Sequence, residues 1–136
     1  MYEVFEHTAD LGLRVRAATR DDLFCQAAEG LFSLIVANLE DVRPVESFQF
    51  RILGDDVEYL LFDWLSELIY AYETRHIVLR QFEVRFTETG LEATARGEPA
   101  DEHRHHLDHE VKAITYHGLK VTEEQGAYVA EVIVDI

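Results

Sequence analysis

The sequence predicts an α+β two-layer domain in which two helices pack on one face of a mostly antiparallel sheet. Two runs carry apolar residues at helical spacing, and several shorter runs alternate apolar with polar residues. The chain has 136 residues, 48% of them hydrophobic, which is enough to bury one sizeable core. We therefore expect a single domain over residues 1–136.

Each predicted helix starts at a capping pattern. Thr19 with Asp22 indicates the start of the first helix, and Asp55 with Glu58 the start of the second. The second helix is the more apolar, so we expect it to be the more deeply buried, with Trp64 in the core and not in a ligand-stacking role. The apolar stripes are Leu23, Ala27, Ala28, Leu31, Leu34 and Ile35 in the first helix and Val57, Leu60, Leu61, Trp64, Leu65, Leu68 and Ile69 in the second.

Alternating runs predict about six strands after a short opening segment at residues 3–5. A hairpin is expected around Gly90, and the segment 97–101 is expected to end it because it contains glycine and proline. The predicted strands cover residues 13–17, 48–52, 82–86 and 91–95, a run at 111–116, a further strand through 119 and 121, and a final strand at 128–136.

The composition restricts the class of partner and the compartment. Twenty-seven acidic side chains against 12 basic ones give a net charge of −15, which opposes binding to nucleic acid and favours cations or a basic protein surface. Simple solubility explains the same charge equally well. Cys25 is the single cysteine and lies in an apolar pattern, so we expect no disulfide, an unreactive thiol and a cytoplasmic location. No signal peptide or membrane span is predicted.

The last strand-like run reaches the final residue and brings three oxygen donors together. These are the Asp135 carboxylate, the backbone carbonyl of Ile136 and the terminal carboxylate, a set that suits Ca²⁺ or Mg²⁺. A sheet strand that merely ends in Asp-Ile accounts for the same residues. Both interpretations stay open at this point.

The segment from His7 to Gly12 is loop-like and places an imidazole, a hydroxyl and a carboxylate close together. Asp10 could ligate a metal there. Alternatively, Asp10 or Thr8 accepts hydrogen bonds from N–H groups of the loop.

The tract 101–110 holds four of the seven histidines and four acids. Such a tract can bind Zn²⁺ or Ni²⁺, and a metal-dependent hydrolase that uses His103 to His109 is an alternative function. The spacing matches no zinc motif, which favours a mobile polar loop. Lys112, among apolar neighbours, either pairs with a buried carboxylate or reaches a functional pocket. No nucleophile–base pattern and no glycine-rich phosphate loop indicates an enzyme.

Taken together, six segments in this order resemble the archease family, over nearly the whole chain. They are His7–Gly12, Leu23–Ala28, Leu60–Leu65, Gly97–Pro99, Val111–His117 and Val134–Ile136. Leu11 departs from the isoleucine that is commoner in the family.

The resemblance implies a non-catalytic accessory protein. Members of the archease family look like activators of the RtcB-type tRNA-splicing RNA ligase. That ligase uses GTP and a divalent metal, and it forms a covalent guanylate on its own active-site histidine. The resemblance implies a bound divalent cation whose ligands are Asp10, Asp135 and Ile136. Ca²⁺ is the expected cation, and Mg²⁺ or Mn²⁺ are the alternatives. The resemblance also makes Lys112 and His7 candidate contacts to the ligase. An adaptor or general chaperone without a metal role is the other alternative.

Overall fold

The computed structural model describes residues 1–7 and 10–136. It confirms the α+β two-layer fold, with two helices packed on antiparallel sheets. The described residues form, in chain order, β1 (Tyr2–His7), β2 (Asp10–Ala17), α1 (Arg20–Ile35), β3 (Glu46–Leu53), α2 (Val57–Arg75), β4 (Ile77–Thr87), β5 (Gly90–Pro99), β6 (Ala113–Ile114), β7 (Lys120–Glu124) and β8 (Ala127–Asp135), with one short 3₁₀ turn at Leu39–Asp41.

The strands divide into two sheets where the sequence predicted one. Five strands form the first sheet, in the order β1-β2-β8-β6, with β7 also paired to β8. The other three form the second sheet, in the order β3-β5-β4. Along one side of β8 the chain first pairs as β6, leaves as a loop, and then pairs again as β7. The predicted run 111–116 contains β6 and the further strand through residues 119 and 121 overlaps β7, with residues 115–119 between the two strands.

The predicted hairpin around Gly90 is β4–β5, but it is longer than predicted. The hairpin ends at Pro99, inside the segment 97–101 as expected, but Gly97 itself still pairs with both Glu46 and Leu79. A Cβ on Gly97 would run into the carbonyl oxygen of Val78. Glycine thus lies inside the strand because the neighbouring backbone approaches it closely.

The helices bury the predicted stripes against both sheets. α1 packs on β2 and β4, and α2 contacts β6 and the three-stranded sheet. Trp64 is fully buried, and its Nε1–H donates to the Phe24 carbonyl at 3.1 Å, so its predicted core role is confirmed. One contiguous hydrophobic cluster includes residues of both helices and both sheets.

One predicted helix start is confirmed and the other is wrong by one residue. The Thr19 hydroxyl accepts the N–H of Asp22 at 3.1 Å and caps α1. α2 is capped by Asp56 and not by Asp55, because the capping side chain must come directly before the first helical residue. The Asp56 carboxylate accepts the N–H groups of Glu58 and Tyr59 at 2.9 and 3.2 Å.

Candidate metal centre at the end of the five-stranded sheet

Three strand ends meet at one edge of the five-stranded sheet. β1 ends at His7, β2 begins at Asp10 and β8 ends at Asp135. Leu11 of β2 pairs with Val134 of β8. Continuing this antiparallel register by one step sets Asp10 level with Asp135. Residues that face each other in this way share a face, with Cβ atoms about 5 Å apart. The fold therefore brings together two predicted ligands from opposite ends of the chain.

Asp10 belongs to a strand, and this corrects the sequence interpretation. Residues 10–12 were expected in a loop, but they pair with β1 and β8, while His7 is the last residue of β1. Gly12 lies under the ring of Phe5, which occupies the space that a Cβ would need. The alternative role for Thr8 lies outside the described residues.

His7 faces Asp10 across the β1–β2 pair. Its Nδ1 lies 4.0 Å from Asp10 Oδ2, within reach of an ion pair but too far for a hydrogen bond. Nδ1 is buried, and it has no hydrogen-bond partner in the part of the chain that the structure describes. The His7 ring also lies 5.5 Å from the ring of His117, centroid to centroid.

His117 was not among the predicted site residues, although it closes the Val111–His117 segment. The loop between β6 and β7 carries it, and this loop begins after Ile114, which pairs with the same residue of β8, Val134, as Leu11 does at the start of β2. An exposed histidine in a loop gives no periodic signal, so the sequence pattern alone could not place it. Its position beside His7 depends on the pairing of distant strands.

Lys112 reaches the same edge through its backbone. Its N–H donates to the carbonyl of Asp135 at 2.8 Å. The side chain is exposed, and within residues 1–7 and 10–136 its ammonium group forms no ion pair. The expectation that Lys112 pairs with a buried carboxylate is therefore wrong. Because β6 consists of only two residues, Lys112 lies just outside it and is open to solvent.

The donor chemistry of this edge fits a hard divalent cation. Asp10 and Asp135 supply carboxylates, and Ile136 supplies backbone or terminal oxygen. Among the described residues, no lysine or arginine forms an ion pair with either carboxylate, so their negative charge is not compensated there. Groups of three or more His, Cys, Asp or Glu side chains at metal-binding distances are absent from the described residues. A site here thus requires oxygens from the main chain or the terminus.

The histidine tract is a loop between strands, as expected, and several of its residues form hydrogen bonds to the rest of the protein. His105 is buried, with Nδ1 accepting the N–H of Asp101 at 2.9 Å and Nε2 3.0 Å from Glu98 Oε2. Since Nδ1 accepts, Nε2 carries the proton and donates to Glu98. The tract also caps the end of α1, where Asp108 and His109 donate to two of its last carbonyl groups. Its central histidine is thus already used in a structural contact.

Cys25 has no role at this edge. It is half-buried, and burial raises the pKa of its thiol to about 11. A thiol with so high a pKa carries little thiolate at neutral pH, as expected for an unreactive cysteine.

Within the described part of the chain, no helix is long and apolar enough to cross a membrane.

Residues 2–136 match the model of the Archease protein family (MTH1598/TM1083). The chain belongs to the archease family. The archease of Methanopyrus kandleri is 43% identical over 139 residues, covering 99% of both chains. The archease of Pyrococcus abyssi is 38% identical over 140 residues, covering 99% of this chain and 98% of that one.

Solved structures share the archease fold. The solution structure of Methanobacterium thermoautotrophicum protein 1598 superposes with a TM-score of 0.84 at 31% identity, covering 99% of this chain and 98% of the other. The crystal structure of a Thermotoga maritima archease, described as a possible chaperone, gives a TM-score of 0.70 at 19% identity, covering all of this chain and 98% of the other. At that identity the second match shows the fold alone. The family resemblance found in the sequence is thus confirmed.

Proposed function

We propose that this archease is a non-catalytic accessory protein that activates an RtcB-type tRNA-splicing RNA ligase in the cytoplasm. It promotes guanylylation of the ligase and its repeated turnover. A divalent cation held by Asp10, Asp135 and an oxygen of Ile136 takes part, with Ca²⁺ preferred over Mg²⁺ or Mn²⁺. The protein binds the ligase and has no direct contact with nucleic acid or membrane.

The observation that carries the proposal is the register of β2 and β8. Leu11 pairs with Val134, so Asp10 and Asp135 are the next facing positions, and among the described residues neither carboxylate has a lysine or arginine partner. Two neighbouring carboxylates repel each other, and a bound cation removes that repulsion. When bound, the cation supplies positive charge that can interact with the phosphates of a nucleotide.

The neighbouring residues have separate roles in this proposal. His7 borders Asp10 and limits the positions that its carboxylate can take. Lys112 directly precedes β6 and donates its backbone N–H to the Asp135 carbonyl, and its exposed ammonium can contact the ligase or its nucleotide from there. The acidic protein binds a positively charged face of the ligase.

The test mixes the purified archease with an RtcB-type ligase, GTP and metal, and follows the covalent ligase guanylate with time. We expect Asp10→Asn and Asp135→Asn to remove stimulation while circular dichroism and melting temperature show an intact fold. Asp55→Asn is the matched control, because Asp55 is exposed and is not the helix cap. Full stimulation by both site variants would refute the cation's role.

A general chaperone or adaptor without a metal role is the second candidate, the kind of function that the description "possible chaperone" gives the Thermotoga maritima archease. It predicts that the protein suppresses aggregation of unrelated, thermally unfolded clients. Suppression that persists in Asp10→Asn and Asp135→Asn would support it. The structure gives no support to the metal-dependent hydrolase that uses His103 to His109. The described residues contain no group of three metal-ligating side chains, and His105 is hydrogen-bonded to Glu98.

A further inference from the structure

A row of aromatic side chains lies open to solvent along α2. Tyr59, Tyr70 and Tyr116 are each about 60% exposed, and Tyr116 comes from the loop after β6. Between α2 and β6 lies a cavity of about 250 Å³ with a mainly apolar lining. We call this surface the α2 groove. It is lined by Phe62, Ser66, Ile69, Tyr70, Glu73, Lys112, Ala113 and Ile114, and it continues toward Tyr59 and Tyr116.

Two of the exposed aromatic rings, those of Tyr59 and Tyr116, pack on each other or on Phe62 before any partner arrives. The rings of Phe62 and Tyr116 stack at 3.9 Å with only 6° between their planes. Tyr59 packs edge-on against Tyr116 with centroids 5.9 Å apart. Fixed aromatic side chains lose little conformational entropy on binding, which is why they dominate many interfaces. This surface therefore has the properties of a binding site and not of scattered exposed residues.

The charge around the groove indicates the chemistry of its occupant. Asp63, Glu67 and Glu73 are exposed on the same helix, and among the described residues none of them forms an ion pair. Guanidinium groups stack on aromatic faces and pair with carboxylates at the same time. Exposed tyrosine rings beside Glu73, on a helix that also carries the free carboxylates of Asp63 and Glu67, thus suit arginine side chains, and the net charge of −15 points to a basic partner.

The groove is continuous with the candidate metal centre. Its wall is β6, where Ala113 pairs with Asp135 and the Lys112 N–H donates to the Asp135 carbonyl. A partner segment lying in the groove would therefore end beside the two carboxylates. Binding in the groove and presentation of the cation site are thus two parts of one surface.

We infer that the α2 groove is the docking site for an arginine-bearing basic segment of the partner protein. This inference rests on the proposed function in one respect: the ligase is that partner. The groove provides affinity and orientation, whereas Asp10 and Asp135 provide the cation. Substitutions in the groove should therefore weaken binding of the ligase, whereas substitutions of the two aspartates should remove its stimulation.

The test measures the Kd of the archease–ligase complex by fluorescence anisotropy, together with guanylate formation. Tyr70→Ala and Tyr116→Ala should each weaken binding by about tenfold or more. Tyr70→Ala should leave the melting temperature unchanged, Tyr116→Ala should lower it only through the loss of its stacking on Phe62, and neither should change the increase with calcium. Val45→Ala and Leu53→Ala are the matched controls, since both side chains are exposed and lie outside the groove. Asp135→Asn should show the reverse pattern, with binding kept and stimulation lost.

The role of the exposed carboxylates of α2 is tested with substitutions that remove the charge and keep the size of the side chain. The pair Asp63→Asn with Glu73→Gln should weaken binding and reduce its salt dependence more than the pair Glu88→Gln with Glu102→Gln, which removes the same charge elsewhere. Wild-type affinity in all groove variants would overturn the inference. Dimers of the archease that disappear on Tyr70→Ala would also overturn it, because a second copy would then be the occupant.

A labelled arginine-rich peptide separates this inference from the proposed function. Binding to the wild type that is lost in Tyr70→Ala supports the groove even if no RtcB-type ligase is bound or stimulated. In that case the proposed function fails alone. If the ligase is stimulated normally by groove variants and the peptide does not bind, the groove inference fails alone.

Discussion

At the scale of single residues, the Glu98 carboxylate holds the histidine tract against the three-stranded sheet. It accepts hydrogen bonds from Arg104 Nη1 at 2.6 Å, the Arg43 backbone N–H at 2.7 Å and His105 Nε2 at 3.0 Å. Burial alone would raise the pKa of this carboxyl, but these hydrogen bonds outweigh burial and lower the pKa to about 2. Glu98 therefore stays ionised although its side chain is buried.

Replacing Glu98 by glutamine should destabilise the protein in a pH-dependent way. A carboxyl with a lowered folded-state pKa contributes stability that is present above its ordinary pKa of 4.5 and is lost as the pH falls toward 2. We expect Glu98→Gln to lower the free energy of unfolding by about 2 kcal/mol at neutral pH. The difference from wild type should shrink below pH 4.5. Urea unfolding at neutral pH and at about pH 3 measures both quantities.

The control is Glu83→Gln. Glu83 is 70% exposed and lies 3.5 Å from Arg96, so we expect its loss to change stability by less than about 0.5 kcal/mol. Equal effects of the two substitutions, or a Glu98→Gln deficit that does not vary with pH, would contradict the assigned role of Glu98.

The histidine tract shows what composition can and cannot predict for single residues. A run of histidines and acids correctly predicts a polar segment without regular structure over most of its length. It cannot predict that His105 is buried, because the partner Glu98 lies in β5 and the side-chain geometry depends on tertiary packing. His103 and His106, in the same tract, stay exposed.

At the scale of elements, the start of α2 separates two adjacent aspartates. Asp56→Ala removes the acceptor for two N–H groups and should lower the free energy of unfolding by about 1 kcal/mol. Asp55→Ala, one residue earlier, should change it by less than about 0.5 kcal/mol. Thermal or urea unfolding of both variants checks this. A larger effect at Asp55 would mean that the helix starts where the sequence spacing predicted.

Strand boundaries depend on contacts that the local sequence does not contain. Alternation predicted the β4–β5 hairpin and its turn correctly, since one face of each strand is buried. It failed at Gly97, where a residue that usually weakens strands is required by the nearby Val78 carbonyl. It also drew β6 too long, as residues 111–116, because only Ala113 and Ile114 pair with β8.

At the scale of the whole molecule, the β2–β8 pairing determines which distant residues meet. Periodicity identifies a strand but not its neighbours, so the residues alone left Asp10 and Asp135 as separate features. The family resemblance predicted a shared ligand set, and the register sets the two residues level. Binding of the cation itself stays a prediction.

Calcium should stabilise the folded protein through this pairing. A ligand at about 100 times its Kd adds about 2.7 kcal/mol to the free energy of unfolding, which raises the melting temperature by several degrees. We expect this increase in the wild type and not in Asp135→Asn. A short peptide tag after Ile136 should reduce it if the terminal carboxylate is a ligand. A full increase in the tagged protein would instead assign the backbone carbonyl.

Net charge acts over the whole molecule and should control how fast the ligase is bound. With a charge of −15, the protein attracts a basic partner over roughly the Debye length, which falls from about 30 Å at 0.01 M salt to about 3 Å at 1 M. We expect the association rate constant to fall at least about tenfold across that range, measured by stopped-flow fluorescence. Dissociation should change much less, because it depends on the short-range packing of Tyr70 and Tyr116. An association rate that does not vary with salt would show that charge serves solubility and not recognition of the ligase.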